Sequence, residues 1–303
     1  MNNVLAISGI VIKELYRRKD FYVLFVLTAL ITLVLGTVNF FNDPKIVRYL
    51  KEVCLLLIWI SSLVIAIGTA ARQIPAEREN RTIFPLLAKP VTRGQFIMGK
   101  FLGCWLACGV ALVVFYLFFG VVSESRGRSD SSSAGLSSSS APLAQDASGK
   151  ADDHDHAAVG SEHHDEHAAT EHRSVLLNYV QALGLHWMML GVVTAMVLLG
   201  SVVFSAPSAN VTISFIGIIG ILLLGEHVNK VALQQPQPLQ ATLYTGYFLI
   251  PHLEWFDIRD RVIYDQPAIA IMDCGLATLY AIAYTGLFLF LAWLVFRRKT
   301  LTL

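Results

Sequence analysis

Two apolar runs, 53–71 and 101–122, contain no Asp, Glu, Lys or Arg, and between them lies a strongly polar island, Arg72 to Lys100. About 20 consecutive apolar residues suffice to cross the hydrocarbon core of a bilayer as a helix, and there only helices or closed barrels satisfy the backbone. The two runs therefore dictate a membrane hairpin with a polar, charged connection. Composition agrees: 55% of the residues are hydrophobic and 15% charged, against about 25% charged in soluble domains. The fold class that follows is all-α and integral to the membrane. Its expected spans lie at about 21–41, 53–72, 96–122, 176–205, 209–226 and 275–296.

The island carries Arg72, Arg78, Arg81, Lys89, Arg93 and Lys100 against Glu77 and Glu79. Short loops rich in Lys and Arg stay on the cytoplasmic side. With an even number of spans, the other cationic sites, 13–19 and Arg297-Arg298-Lys299, fall on that side too. Both termini are then cytoplasmic, as is the link Ala206-Pro207-Ser208, although Arg126 and Arg128 fall outside. Within the island the pattern predicts a short helix over about Pro75–Leu87, with Pro75 early in it and Glu77 four residues before Arg81. Lys89-Pro90 stops that helix, and Thr92 caps the next one, which runs through Phe96 and Met98 into the membrane. Ahead of the first span, Val4, Ile7, Val11 and Leu15 recur at helical spacing with Lys13 and Arg17 on another face. This reads as an amphipathic entry helix over 1–20, lying in the inner headgroup layer. It is not a signal peptide, because its cations follow the apolar part.

The run Glu77-Arg-Glu-Asn-Arg-Thr-Ile, then Leu86-Leu87-Ala-Lys-Pro-Val-Thr-Arg-Gly, then Gly99-Lys100, resembles the loop between spans two and three of type-2 ATP-binding-cassette (ABC) permeases. The shared pattern, E-x-x-x-x-T-x-x-x-L-L-x-x-P-x-x-R, is filled by Glu77, Thr82, Leu86, Leu87, Pro90 and Arg93, with Asn80-Arg81 where a Gly commonly precedes the Thr. The resemblance implies that this loop carries a coupling helix docking on a separate ABC ATPase subunit, in a complex of two permeases, homo- or heterodimeric, and two ATPases. ATP and magnesium then belong to the partner, and this chain holds no cofactor of its own. Glu77, Glu79 and Arg81 are the candidates for docking or for orienting the loop, with apolar help from Ile83, Phe84 and Leu86. Arg93 and Lys100 are expected to anchor the loop to lipid headgroups.

Gly94-Gln-Phe-Ile-Met-Gly99-Lys100 satisfies most of the phosphate-loop pattern. That motif needs a strand before it and a hydroxyl after the Lys; here a polar loop precedes it and Phe101 follows. Gly99 and Gly103 read better as small residues that let helices approach. Cys104 and Cys108, one turn apart, read as packing residues. No span core holds an acidic or basic residue, whereas carriers coupled to protons or sodium usually keep intramembrane carboxylates. His186, near the middle of span four, is the ionisable exception and reads as a neutral hydrogen-bonding partner between helices.

Residues 123–173 hold ten acidic and four basic side chains, a net charge of −6, beside two serine tracts. So few apolar groups cannot offset ordering entropy, and the segment 123–174 is expected to be disordered. It carries His154, His156, His163, His164, His167 and His172 among carboxylates, ligands that suit zinc, copper or nickel. Two readings stand open, a weak metal-collecting tether and a solvated acidic insert. The other outer segment, 227–274, contains the aromatic run Tyr244 to Phe256. It reads as an interfacial or re-entrant element, or as a packed cap over spans five and six. Pro251, Leu253 and Phe256 resemble a feature at the same position in some of these permeases.

The domain plan is thus an entry helix (1–20), spans one to three with the coupling loop (21–122), the His-rich insert (123–174), and spans four to six with the outer segment (175–303). The expected function is the permease subunit of an ATP-driven exporter in a bacterial inner membrane, in contact with lipid and with no nucleic acid. Two rivals remain: a metal-ion carrier using the His-rich loop, and a non-transporting anchor recruiting a cytoplasmic enzyme through 72–100.

Overall fold

The computed structural model describes residues 2–17, 19–37, 45–79, 92–138, 160–233, 250–264 and 266–298; side chains at several helix ends, and those of 123–138, 160–175 and 224–233, are outside the described set. The described elements are helical throughout: α1 (Asn2–Tyr16), α2 (Lys19–Thr37), α3 (Lys45–Arg72), α4 (Pro75–Glu79), α5 (Arg93–Ser138), α6 (Gly160–Val203), α7 (Pro207–Leu233), a 3-10 turn (Leu253–Phe256), α8 (Arg259–Ile263) and α9 (Ile271–Arg298). Among the described residues, four stretches are long and apolar enough to cross a membrane: Lys51–Glu79, Arg93–Val122, Leu176–Val203 and Ile271–Arg298. Tyr22–Val34 and Pro207–Leu223 are apolar but shorter.

Helix bounds exceed the apolar runs where a polar turn continues the same backbone. α3 starts at Lys45, and its first turns lie beside residues of the opposite end, Arg48 sitting 5.1 Å over the Tyr264 ring. The segment expected to be disordered is entered by helix from both sides: α5 runs to Ser138 and α6 begins at Gly160. At 46 residues α5 is roughly 69 Å long at 1.5 Å per residue, more than twice the ~30 Å of a hydrocarbon core.

Small residues set the helix contacts. The stripe Val4, Ile7, Val11 and Leu15 is the packed face of α1, with Ile7, Val11 and Leu15 buried. That face lies against α5. Added Cβ atoms would come within 2.8 Å of Ile7 Cβ at Gly99 and 2.6 Å of Val11 Cβ at Gly103, so the missing side chains are what admit α1. α5 and α6 are joined by a reciprocal arrangement. Trp105 and Trp187 stack with centroids 4.9 Å apart, and each indole N–H donates to the other's backbone carbonyl, at 3.0 and 3.3 Å. Each ring also covers a glycine one turn along the facing helix, Trp187 over Gly109 and Trp105 over Gly191. Indoles withdrawn from solvent need a partner for their N–H, and for these two half-buried rings the pairing supplies both.

The main core joins α3, α5, α6 and the segment after Ile250, with Ala66, Ala70, Phe115, Phe119, Met189 and Val193 at its centre. That segment is a packed cap. Pro251, Leu253, Phe256, Val262 and Ile263 are buried, and its contacts reach α3, α6 and α7. The Tyr280 ring of α9 lies tilted against Trp255 with centroids 5.2 Å apart, and its hydroxyl oxygen accepts the His252 N–H at 2.9 Å. The cap therefore spans more of the bundle than the two helices expected. Asn178 and Gln181 at the start of the buried part of α6 bind Gln266 O and both backbone groups of Ile269, at 2.6 to 3.1 Å.

Candidate functional site

The polar island begins where α3 stops. After Arg72 the chain turns at Gln73 and Ile74, and Pro75 opens α4, where its missing N–H is no loss. Ile74 is fully buried in a second cluster with Phe96 and Ile97 of α5, Ala195 and Leu198 of α6, and Phe296 of α9. This apolar peg fixes the base of the loop. Beside it, Lys100 of α5 is buried, pairs with the Glu77 carboxylate and donates to Gln73 Oε1 at 3.1 Å. Its ammonium also lies 5.9 Å from the Phe96 ring centre. Gln73 in turn donates to Thr69 O at 3.4 Å, so charge and amide form one chain from α5 through α4 back to α3.

The far side of the island is equally tied. Thr92 and Gln95 form a capping box: Gln95 N–H donates to Thr92 Oγ1 at 3.3 Å, and Thr92 N–H donates to Gln95 Oε1 at 3.2 Å. The expected cap at Thr92 is therefore present. Arg93 donates to Phe296 O and Arg297 O, at 3.2 and 2.8 Å, and lies 5.8 Å over the Phe296 ring. A guanidinium at the last carbonyls of a helix satisfies orphan acceptors and complements the dipole. Lys100 is thus buried against Glu77 and Gln73 instead of reaching the headgroups expected of it, while the half-buried Arg93 binds the end of α9. Gly94 and Gly99 lie inside α5, and Lys100 is engaged by Glu77 and Gln73.

A third tie closes this end of the bundle. Asn210 of α7 is fully buried; its amide donates to Ala71 O and Val197 O at 3.3 and 3.2 Å, and its oxygen accepts from Ser214. A Cβ on Gly200 would collide with that oxygen. The ends of α3 and α6 and the start of α7 are held by one side chain.

Of the predicted docking residues, Glu77 is half-buried in the ion pair with Lys100, while Glu79 is exposed at the end of α4. Arg81, Ile83, Phe84 and Leu86 lie outside the described residues. So do His154 and His156. The backbone of His163, His164, His167 and His172 belongs to α6, and their side chains are outside the described set. Among the described residues no three His, Cys, Asp or Glu side chains converge as metal ligands. Cys54, Cys104 and Cys108 are free thiols buried among apolar neighbours.

His186 sits at the meeting of α3, α5 and α6. Ser62 donates to Trp59 O at 2.8 Å, which leaves its oxygen to accept from His186 Nε2, also 2.8 Å away. His186 Nδ1 then accepts from the Tyr116 hydroxyl at 3.4 Å. The chain of donors is complete with a neutral imidazole protonated on Nε2, which is the bridging role the sequence suggests. Sequence reasoning missed the Trp105–Trp187 pair and Asn210. The first had a visible signal, the spacing Trp-x-x-x-Gly occurring in both Trp105–Gly109 and Trp187–Gly191.

These features define a multi-pass helical membrane protein whose charged connection is locked to its apolar helices. The family model for "ABC-2 family transporter protein" matches residues 9–301, and the chain belongs to that family. It is a membrane permease of an ABC transporter, the transmembrane component rather than the ATPase, and it operates with an ABC ATPase. No curated protein matches the chain.

Proposed function

We propose that the chain is the permease subunit of an ABC exporter, that it crosses a bacterial inner membrane six times with both termini cytoplasmic, and that residues 75–88 dock on the ATPase. Two copies, or one copy and a related permease, complete the transporter, and the solute carried is unidentified. The observation that carries this reading is the pinning of α4 to α5 and α3 through Lys100, Glu77 and Gln73. A loop fixed at its base to two apolar helices passes on any push it receives. A loop hinged only at its ends would absorb it.

On this reading Glu77 orients the loop, and Ile83, Phe84 and Leu86 supply the contact. Interface energy concentrates in a few desolvated anchors, whereas exposed ion pairs contribute only ~0–1 kcal/mol each. Phe84→Ala therefore costs more coupling than Glu79→Ala, and Glu77→Lys sets two cations side by side at the buried Lys100. The test is pull-down of the cognate ATPase together with transport-dependent hydrolysis, at matched membrane abundance. If Phe84→Ala and Glu77→Lys both bind and stimulate the ATPase like wild type, the loop is not the coupling element. The tract 152–172 we read as a weak binder of zinc or copper outside the membrane, losing metal below about pH 6 as histidines protonate. An isolated peptide of that tract giving no zinc or copper heat signal at neutral pH ends that reading.

A further inference from the structure

Where α1, α2, α3 and α5 meet, they leave a cavity of about 280 Å³. This is at the lower edge of the roughly 300–1,000 Å³ of small-molecule sites, a size for one slender chain. Its deep wall is closed by Leu15, Ile65, Cys108 and Ala111, all buried. Its other wall includes Val110, 65% exposed on the apolar run of α5, so the cavity opens sideways toward the surface a bilayer covers. Space inside is real: a Cβ on Gly68, a lining residue, would meet nothing within 4 Å.

The polar groups gather at one end. Thr69 and Arg72 line the cavity one turn apart on α3, but the Thr69 hydroxyl is spent on Ile65 O at 2.7 Å. Arg72 and Tyr16 are exposed at the mouth, and Lys13, Glu14 and Arg17 of α1 are exposed nearby in sequence. An apolar slot with a cation, Arg72, at its mouth is complementary to an amphiphile with an anionic head. Apolar voids of this size are rare in packed proteins and take in apolar groups rather than water. The chain ends of the surrounding bilayer are the nearest supply.

We propose that this slot holds one acyl chain of an anionic phospholipid, with its phosphate at Arg72. The proposal depends on the membrane placement described above, but not on the ATPase or on any transported solute. The lipid would be a fixed component of the join between the entry helix and the bundle.

The test is native mass spectrometry of the full chain titrated with phosphatidylglycerol or with phosphatidylcholine of the same acyl chains. One phosphatidylglycerol should be retained more tightly than phosphatidylcholine. Gly68→Phe, which fills the slot, should abolish that retention, and Arg72→Gln should weaken phosphatidylglycerol about fivefold while leaving phosphatidylcholine unchanged. Val110→Trp, which closes the mouth from a different helix, should act like Gly68→Phe and guards against a folding defect in that variant. Equal retention of the two lipids by wild type overturns the proposal, as does undiminished phosphatidylglycerol retention in either blocking variant. No ATPase is present in this experiment, so its failure leaves the permease reading standing, and loss of ATPase coupling in the loop variants leaves the lipid site standing.

Discussion

At the loop end, α3, α4, α5, α6, α7 and α9 are held together by directed polar contacts: Lys100 with Glu77 and Gln73, Arg93 with the last carbonyls of α9, Asn210 with Ala71 and Val197. At the opposite end, residues 250–264 combine burial, with Leu253 and Phe256 each 2% exposed and Val262 equally covered, with fewer ties between helices: Arg259, paired to Asp257, lies 4.9 Å over the Trp59 ring of α3, and His252 N–H donates to Tyr280 of α9. Directed contacts between charges are few, and each is lost as a unit when one partner leaves. Burial is non-directional and spread over many atoms. The loop end is thus fixed in a definite geometry by several ties between helices, whereas the cap closes the bundle with more burial and fewer such ties. That division fits a protein driven from one end by an ATPase.

The comparison breaks most visibly in the cap. Phe256→Ala should destabilise the protein by about 4 kcal/mol, within the usual range for emptying a core aromatic site, read as a fall in thermal unfolding temperature in detergent. Coupling to the ATPase should be kept by the molecules that remain folded. Next in size is Glu77→Ala, which strands a buried ammonium and should cost about 3 kcal/mol. The double variant Lys100→Met with Glu77→Leu sharpens the point. Stability should return to near wild type because an apolar pair replaces an ionic one, while transport-coupled hydrolysis stays low because the directed tie is gone. Recovery of both together would mean that the pair serves stability alone.

Smaller effects come from the joins. Gly103→Val should cost about 2 kcal/mol by overpacking against Val11, and hydrogen exchange in residues 2–16 should rise, since α1 is what must move. Thr92→Ala removes half of the capping box and should cost about 1 kcal/mol. The smallest effect expected is a pH dependence of the cap. Burial holds His252 below its ordinary pKa, with Glu254 opposing. A histidine kept neutral by the fold binds its proton more readily when unfolded, so stability rises with pH and falls as pH drops through about 6.5. Protection factors over 250–264, corrected for the intrinsic pH dependence of amide exchange, should fall from pH 7.5 to pH 5.5 in wild type, and this slope should flatten in His252→Gln.

Much of the loop end was legible in the chain. Thr92 followed three residues later by Gln95 is a local rule and needs no tertiary knowledge, and Gly99 and Gly103 sit one turn apart where α1 approaches. His186 could be read because a lone imidazole in an apolar span must find a partner, which Ser62 and Tyr116 provide. The partners of Arg93 and Lys100 were not legible. A long cationic side chain reaches several ångströms in any direction, and whether it meets headgroups or Phe296 O and Glu77 depends on where α9 and α4 end. The cap was half legible: its aromatic residues marked an interface, but its attachment through Asn178 and Gln181 joins positions 88 residues apart. No local pattern records such a pairing.

The central claim is that the loop, and not the cap, faces the ATPase. A photo-crosslinking amino acid placed at Phe84 or at Trp255, the latter 56% exposed on the cap, tests it in membranes containing the co-expressed ATPase. The account predicts a crosslinked permease–ATPase band from position 84 and none from position 255. A band from position 255, or its absence from position 84 in a complex that still hydrolyses ATP, would contradict it.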